Sequence, residues 1–187
     1  MNTQHAEAAP GQDSMHTPTS PDPTNPMNTT GSARRRTLKL CLVCSPGGHL
    51  AEMERLLPAF EGKDYFFVTH GSQYSRHLSR AYLIPYRQGY IRERITWLTT
   101  ILVALRILLK ERPDVVISTG GGEIAIPFCY AGKLLGARVV FIETLARVTT
   151  RSAAGRLIYP IADLFVVQWQ SLLKLYGNKA QYWGNVL

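Results

Sequence analysis

The sequence contains only three cysteines, and their spacing excludes most of the roles that cysteines play in small domains. Cys41 and Cys44 form a single C-x-x-C pair, and no second pair of ligands is spaced to complete a zinc site. A redox pair needs exposed thiols at the start of a helix, whereas these two lie within an apolar run. We therefore expect both to be buried core residues.

Motifs for nucleotides and metals are missing as well. No Walker A loop, no G-x-G-x-x-G dinucleotide fingerprint and no Asp-x-Asp pair occurs in the sequence. The chain is therefore expected to use neither a metal nor a cofactor.

An export signal is also lacking. Arg34, Arg35 and Arg36 lead into a short apolar run that fits a first strand, not the apolar stretch of a secretory signal. We expect the protein in the cytoplasm.

Acidic residues are scarce relative to basic ones, which gives a net charge of +8. Such a domain favours anionic partners, namely nucleic acid, lipid headgroups or phosphorylated substrates. The basic residues are spread through the chain, and no recognition helix or RNA-binding motif is found. Lipid or phosphorylated substrates are therefore favoured, and no nucleic acid is expected.

Residues 1–36 have almost no large apolar side chains and are rich in proline and small polar residues. Such a segment cannot bury enough surface to offset its chain entropy, so a disordered polar tail is predicted there. Residues 37–187, about 150 in number, suffice for one domain with a real core.

Apolar runs alternate with helical stretches in this domain. Candidate strands are 38–44, 64–69, 114–118, 138–143 and 163–168, with a further strand at 82–84. Candidate helices are 49–60, 92–111, 123–136, 152–161 and 170–176. The alternation predicts an α/β fold, a Rossmann-like parallel sheet with helices on both faces.

Two glycine loops follow predicted strands, where parallel sheets bind ligands. Ser45, Gly47 and Gly48 precede a helix whose free N–H groups suit a phosphate or a sugar, although two glycines can also simply form a tight turn. Thr119, Gly120 and Gly121 repeat the arrangement, and three successive glycines (120–122) indicate close approach of a ligand or of a partner backbone.

Titratable residues at the same edge are candidates for catalysis. His49 follows the first glycine loop and can act as a general base, and His70 ends the second strand. Glu143 ends a later strand, where it can act with a base or can pair with Arg147, four residues on. Glu123 begins a helix, and its charge favours the positive end of that helix dipole.

The most apolar stretch, residues 95–109, contains one arginine and is shorter than the roughly 20 residues that cross a bilayer. Its basic flanks suit a helix lying in the membrane interface. It is apolar on nearly every side, so it needs a second cover, either membrane or a partner subunit. The residues assigned to membrane contact are Trp97, Ile101, Leu105 and Leu108.

These segments, taken in order, resemble a known family. The chain resembles the PssD/CpsF group of bacterial polysaccharide glycosyltransferase subunits. It is also similar to the eukaryotic anchoring subunit of the enzyme that adds the second N-acetylglucosamine to dolichol diphosphate. The resemblance covers residues 38–187 and rests on residues 45–49, 67–69, 118–121, 142–147, 159–163, 167–169 and 182–187.

The resemblance implies the N-terminal half of a GT-B glycosyltransferase, which handles a lipid-linked saccharide acceptor at the membrane. A separate subunit would supply the C-terminal half that binds the UDP-sugar. The implied reaction is hexosyl or glucuronosyl transfer to a polyprenyl-diphosphate-linked saccharide in exopolysaccharide or capsule biosynthesis. It would occur at the cytoplasmic face of the inner membrane. The alternative is a non-catalytic anchor that recruits a catalytic subunit.

The resemblance also implies roles for individual residues. Related single-chain enzymes, such as the peptidoglycan transferase MurG, place a histidine after a glycine loop near the acceptor, and only His49 matches that place. The eukaryotic subunit carries an N-terminal membrane helix where this chain has a polar tail. Membrane attachment would therefore rest on residues 91–112. Because residues 37–187 have room for only one such domain, we expect another chain to supply the donor half.

Overall fold

The computed structural model describes residues 37–85 and 90–186, with the backbone alone for residues 90–98. Within these residues, seven strands form one sheet in the order β3-β2-β1-β4-β5-β6-β7, and all neighbours are parallel. The strands are β1 (Lys39–Cys44), β2 (Asp64–His70), β3 (Ala81–Ile84), β4 (Val115–Gly120), β5 (Arg138–Ile142), β6 (Leu164–Val167) and β7 (Ala180–Tyr182). The predicted Rossmann-like sheet is confirmed.

Five α-helices are found in the described part of the chain, and they cover the sheet unequally. They are α1 (Gly48–Arg55), α2 (Tyr90–Glu111), α3 (Gly122–Leu134), α4 (Ala153–Ile158) and α5 (Leu173–Tyr176). Side chains from α2, α3, α4 and α5 join the larger core cluster on one face of the sheet. On the other face, α1 contributes Leu50 and Met53 to a smaller cluster.

The strand residues explain why both faces of the sheet are buried. Successive residues of β1 alternate between the two clusters, with Cys41 and Val43 on the α2–α3 face and Leu40 and Leu42 on the α1 face. Because side chains alternate along a strand, a nearly continuous apolar run supplies both faces at once.

The cysteine prediction is also confirmed. Cys41, Cys44 and Cys129 are free and buried. Burial, with smaller effects from Glu54 and Glu52, raises the pKa of the Cys44 thiol to about 12. Such a thiol stays protonated and behaves as a small apolar side chain.

Several element boundaries differ from the predicted ones. α1 ends at Arg55, and a separate 3₁₀ turn (Leu57–Phe60) follows it with Pro58 in its first turn. β4 continues to Gly120, so the second glycine loop begins within a strand. The edge strand β7 was not predicted because its three residues carry little apolar character.

The predicted polar tail, residues 1–36, lies outside the described residues. None of the helices in the described ranges combines the length and the apolar character required to cross a lipid bilayer.

Candidate functional site

The polar loops converge at the carboxyl edge of the sheet. They follow β1, β2, β4 and β5, which lie side by side in the order β2-β1-β4-β5. Both α1 and α3 begin at this edge, directly after β1 and β4. The first N–H groups of both helices therefore point toward the region where parallel sheets bind their ligands.

The backbone at Gly47 and Gly48 borders open space. A Cβ atom built at either glycine would meet no atom within 4 Å beyond its chain neighbours. Gly47 precedes α1 with a φ of 87°, and no side chain caps this end of the helix. The geometry leaves room for a phosphate or a sugar beside Ser45, Gly47 and Gly48, whose role in binding stays a prediction.

The glycines of the second loop serve a different purpose. A Cβ atom at Gly120 would lie 2.6 Å from His49 Cε1, and one at Gly121 would lie 2.6 Å from Ser45 Cβ. Both glycines are buried and have positive φ angles, 124° and 91°. The neighbour that comes close here is the loop after β1. This packing explains why both positions require glycine, and the contact of Gly120 and Gly121 with a substrate stays a prediction.

Thr119 joins the same two loops. Its side chain is fully buried, and its hydroxyl donates a hydrogen bond of 2.7 Å to the carbonyl oxygen of His49. A second bond joins the two loops, from the Ser45 N–H to the Gly120 carbonyl at 3.3 Å. Thr119 therefore holds the His49 backbone in place, and its role in substrate binding stays a prediction.

His49 lies at the start of α1 with its ring over Gly120. The residue is half-buried, and its Nδ1 atom is buried without a hydrogen-bond partner among the described residues. The described part of the chain therefore gives Nδ1 no hydrogen bond that would fix the tautomer of this imidazole. A histidine next to the open backbone of Gly47 and Gly48 is suitably placed to meet a ligand that binds there.

A second histidine and a carboxylate occupy the same edge. His70 Nδ1 lies 3.1 Å from the carbonyl oxygen of Ile84, and its Nε2 lies 3.6 Å from Glu123 Oε1. The interaction with His70 is the main cause that lowers the pKa of Glu123, with a smaller effect from the charge of His49. The sequence placed both residues at this edge but did not predict that they meet.

Glu143 has a different environment from the one that the sequence suggested. Its side chain is fully buried, and its carboxylate accepts hydrogen bonds from Thr144, Ser152 and Tyr176. Burial, followed by the interaction with Glu143, raises the pKa of the Tyr176 hydroxyl. Within the described residues Glu143 bonds neither His49 nor Arg147. The expectation that it orients His49 is therefore corrected, and its carboxylate fixes the loop between β5 and α4.

Arg147 lies in that loop with an exposed side chain, and its Nη1 donates to Thr150 Oγ1 at 3.2 Å. Its role in substrate binding stays a prediction. The loop is also held by a residue that the sequence did not single out. Glu52 of α1 is buried and accepts hydrogen bonds from Thr144 Oγ1 at 2.8 Å and Leu145 N at 3.1 Å. The sequence of α1 shows only the apolar stripe of an amphipathic helix, and that pattern does not mark Glu52 as a residue that binds a loop.

The predicted membrane residues lie in different environments. Trp97 is outside the described side chains. Leu108 is only 2% exposed and belongs to the core, so its assignment to membrane contact is wrong, and Leu105 packs partly against the same core. Ile101 is exposed.

Exposed apolar side chains from three helices form one surface, which we call the α2–α4 apolar face. It is centred on Ile101, Tyr130, Leu134 and Leu157, which line an apolar groove of about 510 Å³ between the helices. Leu102 and Leu109 are exposed on the same helix as Ile101. This surface is broader than the single helix that the sequence indicated.

Comparison with known proteins identifies the family to which the chain is similar. The sequence model of the family described as "Oligosaccharide biosynthesis protein Alg14 like" matches residues 72–186. The chain is 32% identical over 170 residues to the UDP-N-acetylglucosamine transferase subunit ALG14 of Candida albicans. That alignment covers 78% of this chain and 77% of the relative.

Solved structures support the fold. The chain is similar to UDP-GlcNAc 2-epimerase from Methanocaldococcus jannaschii, with a TM-score of 0.62 and 16% identity over 79% of this chain and 46% of the epimerase. It is also similar to the lipopolysaccharide outer core galactosyltransferase WaaB, with a TM-score of 0.57 and 9% identity over 77% of this chain and 44% of WaaB. The chain thus spans about half the length of these structures, and at such identities the likeness concerns the fold alone.

Proposed function

This chain belongs to the family of Alg14-like oligosaccharide biosynthesis proteins, and from that membership we propose that it is one subunit of a two-component glycosyltransferase. The complex transfers a sugar from a UDP-sugar to a polyprenyl-diphosphate-linked saccharide. The observation that carries the proposal is the position of His49 beside the open backbone of Gly47 and Gly48. This is the edge at which α/β sheets of this kind bind ligands.

UDP-N-acetylglucosamine is the donor that the relatives favour, because the Candida albicans relative is named a UDP-N-acetylglucosamine transferase subunit. A hexosyl or glucuronosyl donor, with a product for an exopolysaccharide or capsule, is the variant that the resemblance to the PssD/CpsF group supports. The donor site is assigned to a partner subunit. The support is that the Candida albicans relative, 77% of which the alignment covers, is named a subunit of its transferase.

The proposed chemistry assigns one role to His49. The acceptor hydroxyl attacks the anomeric carbon of the donor sugar, a new C–O bond forms, and the bond to the UDP oxygen breaks. His49 accepts the proton of the hydroxyl during the attack, as a histidine placed beside the reacting group can do. The N–H groups at the start of α1 and the exposed Arg147 would bind the acceptor phosphates.

The α2–α4 apolar face would hold the protein at the membrane. Leu102 and Leu109 are exposed on α2, and the cations Arg106 and Lys110 lie among them. Arg156 is exposed next to Leu157 on α4. Apolar side chains beside cations favour the surface of an anionic bilayer, and we place the protein at the cytoplasmic face of the inner membrane.

A non-catalytic anchor is the second candidate function, and the breadth of the apolar face favours it. In that case the chain recruits a complete catalytic partner, and His49 takes no part in transfer.

Reconstitution tests the proposal. The full chain would be combined with its partner subunit, UDP-N-acetylglucosamine and a polyprenyl-diphosphate-linked acceptor, and sugar transfer would be measured. We expect the His49→Ala complex to lose about 10²–10⁴-fold in rate, which is the usual contribution of a general base. A matched variant of an exposed histidine, His77→Ala, should retain the rate. Full activity of His49→Ala, or activity of the partner alone on a soluble acceptor, would support the anchor instead.

A further inference from the structure

The groove of the α2–α4 apolar face is built by three helices. Its lining includes Ile101 from α2, Tyr130 and Leu134 from α3, and Leu157 from α4. The remaining lining residues are apolar as well. The hydroxyl of Tyr130 already donates a hydrogen bond of 2.9 Å to the carbonyl oxygen of Leu157. The groove therefore offers its surface to an apolar chain.

The groove begins close to the carboxyl edge of the sheet. α3 starts at this edge with Gly122, and the groove follows α3 from Ile126 to Leu134, which places it roughly 6 to 18 Å from the start of the helix. α4 starts beside α3, since a Cβ atom at Gly122 would lie 4.0 Å from Ala154 Cβ. The ring of His49 lies over Gly120, two residues before Gly122. One end of the groove is therefore about one helical turn from the candidate site.

A basic loop (residues 144–152) joins β5 to α4 at the same edge. It carries the exposed side chains of Arg147 and Arg151, and neither the loop nor α4 contains an aspartate or a glutamate. Neither arginine forms a salt bridge within the described ranges. Glu123, the acid in the first turn of α3, faces His70 instead. The loop is thus a cationic surface suited to a phosphorylated group, because guanidinium groups bind phosphate oxygens in pairs.

The backbone of this loop is held in place. The buried carboxylates of Glu52 and Glu143 accept hydrogen bonds from its two ends. The indole of Trp169 donates to a carbonyl oxygen within the loop at 2.7 Å. The guanidinium of Arg151 lies 5.8 Å from the ring centre of Tyr176, which steadies its position. A loop fixed in this way loses little conformational entropy when an anion binds.

We propose that the groove holds the isoprenoid chain of the lipid-linked acceptor and that the basic loop holds its diphosphate. This inference rests on the proposed function, in which the acceptor is a polyprenyl-diphosphate-linked saccharide. The order of groove, basic loop and His49 along this side of the molecule matches the order of apolar chain, diphosphate and sugar in such an acceptor. Leu102 and Leu109 do not line the groove, so they remain available to the membrane surface.

The direct test measures binding without a bilayer or a partner. Farnesyl diphosphate and inorganic pyrophosphate would each be titrated into the purified full chain by calorimetry. We expect farnesyl diphosphate to bind at least about 10-fold more tightly, because burying apolar surface adds to the contacts of the diphosphate. Equal affinities would overturn the proposal, since the apolar chain would then contribute nothing.

Two pairs of exposed-site variants locate the chain and the diphosphate. Leu157→Gln should weaken farnesyl diphosphate about 10-fold and leave pyrophosphate unchanged, whereas Leu102→Gln, outside the groove, should leave both unchanged. Arg151→Gln should weaken both ligands about 10-fold. Arg138→Gln, at the opposite edge of the sheet, should weaken neither. Native affinity for farnesyl diphosphate in folded Leu157→Gln or Arg151→Gln would contradict the assignment.

The acyl chains of the bilayer are the competing occupant of the groove. Dihexanoyl phosphatidylglycerol, kept below the concentration at which it forms micelles, should displace farnesyl diphosphate poorly. Displacement as effective as that by unlabelled farnesyl diphosphate would assign the groove to bilayer lipid and overturn the proposal.

A kinetic arm separates this inference from the proposed function. In the reconstituted complex, Leu157→Gln should raise KM for the lipid-linked acceptor about 10-fold and leave KM for the UDP-sugar unchanged. If the native complex transfers sugar and Leu157→Gln behaves as native in both assays, the inference fails and the proposed function stands. If the native complex transfers no sugar, the proposed function fails, and the calorimetry still decides whether the groove binds an isoprenoid diphosphate.

Discussion

The ring of His49 lies so close to the backbone of Gly120 that a single added carbon at Gly120 would come within 2.6 Å of His49 Cε1. This contact joins the loop after β1 to the loop after β4. The hydrogen bonds from Thr119 to His49 and from Ser45 to Gly120 join the same loops. The candidate base is thus placed by its neighbouring strand as well as by its own helix.

The first prediction follows from this contact. Gly120→Ala should lower the free energy of unfolding by roughly 2–4 kcal/mol, because the methyl group collides with the His49 ring and φ of 124° is strained for alanine. Urea denaturation followed by circular dichroism measures the change. Gly48→Ala is the matched control, since a Cβ atom there meets open space at a negative φ. Equal stability of the two variants would show that the loops do not pack as described.

Glu143→Gln should destabilise the fold. The substitution removes the charge that accepts hydrogen bonds from Ser152 and Tyr176 in a fully buried position, which costs roughly 2–4 kcal/mol. Tyr176→Phe, which removes one donor, should cost about half as much. Thermal unfolding monitors both. A Glu143→Gln protein with native stability but a large loss of transfer activity would restore the catalytic role that the sequence suggested.

Much of the fold could be predicted from the sequence because the signals were local. Apolar runs such as 64–69 are long enough to fill both faces of a parallel sheet, and glycines mark where those strands end. The residues Ala180, Gln181 and Tyr182 of β7 carry no such pattern. They form a strand because they pair with the edge of β6, and such pairing depends on the tertiary structure and not on the local sequence.

The candidate site was predicted less completely. His49 and the first glycine loop were found because a turn followed by a helix start is visible in sequence. The sequence placed Glu143 at the end of a strand and Glu123 at the start of a helix, but it did not show that Glu143 is fully buried or that Glu123 lies beside His70. Likewise, a run of three glycines predicts a close neighbour but does not identify it, and here the neighbour is the loop that holds Ser45 and His49.

The apolar face makes a prediction about membranes. The double variant Leu102→Glu with Leu134→Glu should reduce binding to vesicles that contain anionic lipid by at least about 100-fold, because each leucine contributes roughly 1.5–3 kcal/mol when buried. Sedimentation with liposomes measures the bound fraction. Leu83→Glu is the control, since Leu83 is exposed on β3 and points away from the face of the sheet that carries Tyr82 and Ile84. Equal losses in both variants would argue against this face.

A pH dependence is expected from Glu111. Its hydrogen bond with Lys39, followed by that with Tyr82, lowers the pKa of this carboxyl in the folded protein. Its contribution to stability is therefore fully present above the unfolded value of about 4.3, and it is lost as pH falls through the folded pKa. The stability gap between native protein and Glu111→Gln should shrink below about pH 4.3, as urea denaturation at several pH values can measure. As a control, Glu61→Gln, at an exposed position, should differ much less from the native protein in its free energy of unfolding. If the difference for Glu111→Gln did not depend on pH, the stabilising role of the ionised Glu111 would be contradicted.

The central claim is that the chain provides the acceptor side and borrows the donor site from a partner. Titration calorimetry of UDP-N-acetylglucosamine into the purified chain, and then into the chain with its partner subunit, tests it directly. We expect no saturable binding by the chain alone at donor concentrations up to about 1 mM, which corresponds to a binding free energy of about −4 kcal/mol. The complex should bind the donor clearly. Micromolar binding of the donor by the chain alone would contradict the account.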